Sequence, residues 1–343
     1  MIDISIDMLS VNNADAIIVW LKDENNNHFV MLIDGGNKKD GEKVIQHLEN
    51  YILPATGKKA PDLIVSTHHD KDHIGGLIKV VEHYGNLIGE VWVNNPALYL
   101  GDLSYKHLRE SFRNKSEQKQ YQVILESLTN LDEFISLVDK KGMPRDHALY
   151  GQGKFDGIIQ ILGPSEKYYK ALLPGIDGLE KFVTEEANWA YNSIFGAAVI
   201  NESLENFSPC PIVDQENETS ATNNSSVILQ ITARDNKRYL FTGDAGVKAF
   251  QDAQTRTSLE GIYWLDVPHH GSRRNLSVDL IDTMMPKVCF ISAEGSNKHP
   301  RRALVNCLRK HGARVYSTHK GGNKWHHAGN FPARAEYSTA AEI

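Results

Sequence analysis

Hydrophobic and polar residues alternate over the first forty positions of the chain. Asp3–Leu9, Ala16–Leu21 and Phe29–Ile33 read as strands, with Lys22–Asn27 as a polar hairpin loop. The third strand runs into Asp34-Gly35-Gly36-Asn37, a turn that calls on glycine's freedom at positive φ. The period then changes, and Lys43–Tyr51 puts Val44, Ile45 and Leu48 on one face of a helix. Leu63–Ser66 is a short, largely apolar strand that delivers a polar run into a loop, Ile74–Tyr84 is a helix, and Val91–Val93 is the next strand. Residues 99–147 break this rhythm: they are polar and helical in spacing, with Ile124, Leu128 and Leu131 on one face, and read as an inserted helical lobe. Gly157–Gly163 is strand again, and 167–222 reads as a second, partly loop-like insertion. Strands at Ser226–Thr232, Arg238–Thr242, Gly261–Val267 and Val288–Ser292 resume the core. A helix at Arg301–His311 and a strand at Arg314–Ser317 close it. Both halves are strand-rich with intervening helices. The pattern predicts an α/β fold in one domain, residues 1–343, with two sheets face to face and helices outside: an αββα sandwich.

Composition narrows the class. At 343 residues, 41% hydrophobic and 23% charged, the chain can bury a sizeable core and is neither disordered nor fibrous. No apolar run is long enough to span a bilayer, and the N-terminus alternates as a strand does rather than as a secretory signal does. Cys210, Cys289 and Cys307 are widely spaced, which argues for a reducing, cytoplasmic setting and against a cysteine-ligated zinc site. The net charge of −6 is unevenly placed. From His269 to Arg334 there are 12 Lys and Arg against 3 Asp and Glu, which leaves the rest of the chain strongly acidic. A basic end on an acidic body suggests a face that meets an anion, although balanced, solvated surface charge would give the same count.

Three short motifs carry chemistry, each at the end of an apolar strand. The first, Thr67-His68-His69-Asp70-Lys71-Asp72-His73, gathers imidazoles and carboxylates, the ligands that suit first-row divalent metals, and Gly75 and Gly76 let the next helix start close by. Asp70 or Asp72 capping that helix is the plainer alternative. The second, Thr242-Gly243-Asp244, places a carboxylate able to bridge two ions, or merely a turn aspartate. The third, Pro268-His269-His270-Gly271-Ser272, is a pair that structural roles alone could also explain.

Taken together, His68, Asp70, Asp72, His73, Gly75 and Gly76 with TGD and PHHGS resemble the metallo-β-lactamase superfamily, and within it the ComEC-type branch, the soluble hydrolase domain of bacterial DNA-uptake channels. Leu32–Gly36, Asn223–Ser226 and the Ile291–Pro300 segment extend the likeness, while the two insertions lie outside it. The resemblance implies that His68 and Asp70 hold one metal ion, that Asp72, His73 and His270 hold a second, and that Asp244 bridges them. Asp72 and His269 would be catalytic, His269 polarising a substrate oxygen or donating a proton; which of His269 and His270 is the ligand stays open. Asp70 stands where the family's second histidine is usual. No histidine stands at its third position, where Asn223 or Asn224 could supply an oxygen. Replacing nitrogen by oxygen favours Mn²⁺ slightly over Zn²⁺ for the two divalent ions.

Two such ions suit attack on a phosphodiester or on an acyl carbonyl. Arg273 and Arg274, then Asn297, Lys298, His299, Arg301 and Arg302, then Lys320 follow the strand ends and could grip phosphates. The expectation is a metal-dependent phosphodiesterase, a nuclease with DNA as substrate and no membrane partner. One alternative is hydrolysis of a small phosphodiester or nucleotide-like signal. Another is an inactive interaction module that docks a protein through 99–147.

Overall fold

The computed structural model describes residues 1–175, 178–194, 210, 219–295, 299–335 and 342–343. Two seven-stranded sheets face each other. The first runs, in spatial order, β14 (Lys324–Ala328), β1 (Asp3–Met8), β2 (Ile17–Lys22), β3 (His28–Ile33), β4 (Leu63–Val65), β5 (Glu90–Trp92) and β6 (Arg145–Asp146). The second runs β13 (Arg314–Ser317), β12 (Val288–Ile291), β11 (Trp264–Asp266), β10 (Lys237–Phe241), β9 (Ile228–Ala233), β8 (Ile159–Gly163) and β7 (Gly153–Lys154). Each sheet is half antiparallel and half parallel. β14 through β3 pair antiparallel and β3 through β6 parallel; β7 through β10 pair antiparallel and β10 through β13 parallel.

The period-two pattern explains the layering. Ile4, Ile6 and Met8 of β1, Ile17, Val19 and Leu21 of β2, and Met31 and Ile33 of β3 meet Leu229, Ile231, Tyr239, Phe241, Trp264 and Phe290 of the other sheet. The intervening Ile18, Trp20, Val30 and Leu32 face outward, under α1 (Gly41–His47) and α2 (Lys71–Tyr84). Leu240, Leu265, Cys289 and Ile291 do the same for the second sheet. Helices α3 (Asp102–Asn114), α4 (Lys119–Lys140) and α5 (Leu179–Ile194) share a separate apolar cluster of Tyr105, Leu108, Phe112, Leu128, Val183 and Ala187. The αββα sandwich expected from the alternation is the fold observed.

Four details differ from the sequence reading. α2 begins at Lys71, so Asp72 and His73 ride on its first turn instead of in a loop. The helix expected over Lys43–Tyr51 ends as α1 at His47 and continues as a wider turn, Leu48–Ile52. β14, Lys-Trp-His-His-Ala, pairs with β1 and was not anticipated, because its composition is too polar to read as a strand. Finally, Cys210 and Cys307, whose wide spacing had argued for a reducing compartment, are joined by a disulfide across 97 residues of sequence, which removes that support. Cys289 is a buried thiol, and no helix among the described residues is long and apolar enough to cross a membrane.

A backbone contact sets the site's position. Gly35 N donates to His73 O at 2.8 Å and Gly76 N donates to Gly36 O at 2.8 Å, so the turn after β3 lies directly on the first turns of α2. A Cβ on Gly76 would overlap Gly35 O, and one on Gly35 would stand 2.5 Å from Leu77 N. Gly76→Ala is expected to cost about 3 kcal/mol through this overlap. Chemical denaturation would measure the loss, and an unchanged midpoint would show that the turn and helix can separate freely.

Candidate metal centre

The site lies where the carboxyl ends of the central strands of both sheets meet. β3 ends in Asp34, β4 in Ser66-Thr67-His68, β10 in Thr242-Gly243-Asp244, β11 in Asp266 followed by His269 and His270, and β12 in Ser292. Asp34 is completely buried and fully engaged. Its Oδ1 accepts from Thr67 N at 2.8 Å, and its Oδ2 accepts from Thr67 Oγ1 at 2.6 Å and His73 Nδ1 at 2.8 Å. With its proton given to Asp34, the Thr67 hydroxyl keeps a lone pair for His68 Nδ1–H at 3.1 Å. His270 Nδ1 donates to Ser292 O at 3.0 Å. In all three rings the Nδ1 hydrogen is thus committed outward, which turns the Nε2 lone pair into the site.

The inward atoms converge. His73 Nε2 lies 3.3 Å from Asp244 Oδ1, His270 Nε2 3.6 Å from Asp72 Oδ2, and His68 Nε2 3.6 Å from Asp70 Oδ2. Ligand atoms of His68, His73 and Asp244 all fall within 4.8 Å of one another, as do those of Asp72, His73 and His270. His68 Nε2, His73 Nε2, His270 Nε2 and Asp244 Oδ1 are buried without a hydrogen-bond partner among the described residues. Each would cost about 1–3 kcal/mol if left so. Imidazole nitrogens and a carboxylate oxygen desolvated and facing one another call for cations between them, protons or metal, and this set of imidazole and carboxylate fits divalent metal. Asp70 occupies the N-cap position of α2, yet its side chain makes no capping bond, so its carboxylate faces His68 rather than the helix.

The electrostatics agree. Burial opposes a charge on His73, yet the carboxylates of Asp244 and Asp34 hold its pKa well above the ordinary value; Asp15, Asp72 and Asp244 do the same for His270. Burial pushes Asp72 up, but His270 and His73 outweigh it and bring its carboxyl down to about 2. Asp244 is held well below the usual range against its burial by His269 and His73. The imidazoles and carboxylates thus favour one another's charged forms.

Of the other expected residues, His299 is brought in: its ring lies 5.5 Å from His269 and 6.1 Å from His270. Arg301 N donates to Gly271 O at 3.0 Å, which ties the start of the helix Arg302–Lys310 to the histidine turn. Arg273 is half-buried in that turn, Arg302 is exposed at the start of its helix, and Lys320 lies in an exposed turn after β13 with no described contact to the centre. Asn297 and Lys298 lie outside the described residues. Asn223 turns its amide to Thr219 Oγ1 at 2.7 Å and His269 Nδ1 at 3.3 Å, and Asn224 packs against Gly246.

Several residues escaped the sequence reading. Asp15 stands behind both His73 and His270, 3.7 Å and 3.6 Å from their Nδ1 atoms, and buried Asp266 has its pKa raised well above the ordinary value by burial and by Asp15. Glu186 of α5 accepts from Ala221 N at 2.7 Å and Thr222 Oγ1 at 2.8 Å. Burial, helped by the charge of Asp70, pushes it up to about 7. A strand-end aspartate before Gly-Gly was a usable signal for Asp34. Asp15 and Glu186 carried none.

Residues 11–106, which hold Asp15, Asp34, His68, Asp70, Asp72 and His73, match the family model of the metallo-beta-lactamase superfamily. The chain is 28% identical over 107 residues to ComE operon protein 3 of Bacillus subtilis, covering 31% of this chain and 14% of that protein. It is 35% identical over 83 residues to hydroxyacylglutathione hydrolase of Photobacterium profundum, covering 23% of this chain and 29% of that protein. The chain thus aligns with less than a third of either relative. The two-sheet architecture agrees with the metallo-β-lactamase sandwich fold.

Because His73 and His270 hold protons above their ordinary pKa, metal uptake must displace them. Metal binding is therefore expected to release protons, and affinity should rise with pH. Calorimetry in buffers of different ionisation enthalpy measures the release. Binding without proton release would contradict the charge states described.

Proposed function

We propose that the protein is a metal-dependent phosphodiesterase, and specifically a nuclease that hydrolyses DNA. The observation that carries the hydrolase reading is the convergence of three buried imidazole lone pairs and the Asp244 carboxylate, with every Nδ1 hydrogen committed to an outer acceptor. A divalent ion in each half of this centre would supply a water of lowered pKa and neutralise charge on the phosphate under attack.

The chain's own residues supply the rest. Asp34, Thr67 and Ser292 hold the rings in one tautomer, so the centre needs no rearrangement on loading. Asp72, held ionised at neutral pH, is placed to accept a proton from the attacking water. Arg273, His299, Arg301 and Arg302 follow the two strands that end at the site and would grip the phosphates on either side of the scissile one. This basic rim favours a polyanion over the neutral end of an acyl substrate. The hydroxyacylglutathione hydrolase similarity supports the other reading, acyl hydrolysis at the same centre.

Metal-stripped protein resupplied with Mn²⁺ or Zn²⁺ is expected to cut linear DNA and to turn over bis(p-nitrophenyl) phosphate. Asp244→Asn should lower both rates roughly 1,000-fold, about 4 kcal/mol of barrier. Hydrolysis of a hydroxyacylglutathione without any cleavage of DNA would overturn the nuclease reading. Arg301→Glu with Arg302→Glu is expected to weaken DNA binding and to reduce the slope of log affinity against log salt by about 2, one per lost phosphate contact. An unchanged slope would put the DNA face elsewhere.

A further inference from the structure

We infer that His269 is a metal ligand: together with Asp244 it serves an ion on the side of that carboxylate away from His270, so that the adjacent histidines 269 and 270 bind different ions. This rests on the two-ion reading above and replaces the proton-donor role that the motif alone suggests.

The tautomer of His269 is set by Asn275. That side chain is completely buried, and its Nδ2 donates to Asp244 O at 2.8 Å and to Ala245 O at 3.2 Å. Two backbone carbonyls therefore fix the amide orientation, and Oδ1 faces His269 Nδ1 at 3.2 Å. Nδ1 carries the hydrogen, and the lone pair is on Nε2. That atom lies 3.6 Å from Asp244 Oδ2. A lone pair facing a carboxylate oxygen at this distance is repulsive unless a cation stands between them.

The same separation recurs. His68 Nε2 to Asp70 Oδ2 and His270 Nε2 to Asp72 Oδ2 are also 3.6 Å. Two ligand atoms each about 2.1 Å from one ion, at an angle somewhat above tetrahedral, stand about 3.6 Å apart. Asp244 meanwhile turns Oδ1 to His73 and Oδ2 to His269, as a carboxylate shared by two ions would.

The backbone gives an independent reason. His269 and His270 both adopt left-handed conformations, φ 51° and 55°. Each costs about 1–2 kcal/mol for a non-glycine residue. What the turn achieves is divergence: the two rings are 5.9 Å apart with planes at 76°, and His270 stacks toward His73 while His269 addresses the other side of Asp244. Asn223, at the place of the missing third histidine, contacts His269 Nδ1 at 3.3 Å. Asn223 Nδ2 donates to Thr219 Oγ1 at 2.7 Å, which keeps its amide packed beside the His269 ring.

The test is metal stoichiometry. Metal-stripped wild type, His269→Ala and His269→Gln are dialysed against graded Zn²⁺ and Mn²⁺ and analysed for bound metal, with melting of the metal-free forms as the folding control. Wild type should retain two equivalents. The variants should keep one and bind the second on the order of 100-fold more weakly. Imidazole added to His269→Ala should restore part of that loss. In wild type labelled with ¹⁵N-histidine, the Nε2 resonance of His269 should move to a metal-bound position on loading, a readout that needs no folded variant. Two equivalents held as tightly by the variants as by wild type, or an Nε2 resonance unmoved by metal, would overturn the inference. Fewer than two equivalents on wild type would instead overturn the two-ion reading beneath it.

Discussion

The Asp34 carboxylate is the interaction on which the rest of the centre depends. It is completely buried, and its two oxygens bind the backbone and hydroxyl of Thr67 and the Nδ1 of His73, joining β3, the end of β4 and α2. Hydrogen bonds to a charged acceptor are worth about 1.5–3 kcal/mol each, and here they also choose tautomers. Through Thr67 the same carboxylate orients His68, so one buried charge aims two rings. Asp34 itself sits at φ 55°, a conformation held by the turn that Gly35 and Gly36 press onto α2. The glycines beside the histidine motif therefore belong to the chemistry: they let two backbones touch, and the contact fixes where the lone pairs point.

Charge is arranged around that anchor in two layers. Asp70, Asp72 and Asp244 face inward, and Asp15, Asp34 and Asp266 stand behind the imidazoles. Asp15, Asp34, Asp244 and Asp266 are buried and Asp70 and Asp72 half-buried, and acids this close repel each other when ionised unless positive charge stands among them. Protons on His73 and His270 meet part of that need, and divalent ions would meet it better. The arrangement exists because both sheets present the carboxyl ends of parallel strands at the same edge, so loops from distant sequence arrive side by side.

The layers of the fold were legible wherever alternation was strict. Ile4, Ile6 and Met8, or Tyr239 and Phe241, announce a strand buried on one face, and the structure places them between the sheets. The motif residues at strand ends could be read because ligand-type side chains cluster there against apolar neighbours. What could not be read depends on partners far away in sequence. Lys324–Ala328 is strand only because β1 offers an edge, and Cys210 meets Cys307 only once the second sheet is assembled. Asp15 looks like an ordinary loop aspartate until His73 and His270 are both in place beside it. Glu186 sits in a segment without motif, and its role follows from the short helix Ala221–Asn224 that it caps.

The pairing of β14 with β1 has a consequence for how the chain is made. β1 has β2 on one side, but its other neighbour lies some 320 residues further along the chain. Until that neighbour pairs, the hydrogen-bonding edge of β1, with Ile4, Ile6 and Met8 beside it, is open to any passing strand. Buried Lys324, whose amine caps the carbonyls of Lys320 and Gly322, is what seats the late arrival. A chain lacking β14 would leave that edge unpaired and be the aggregation-prone species.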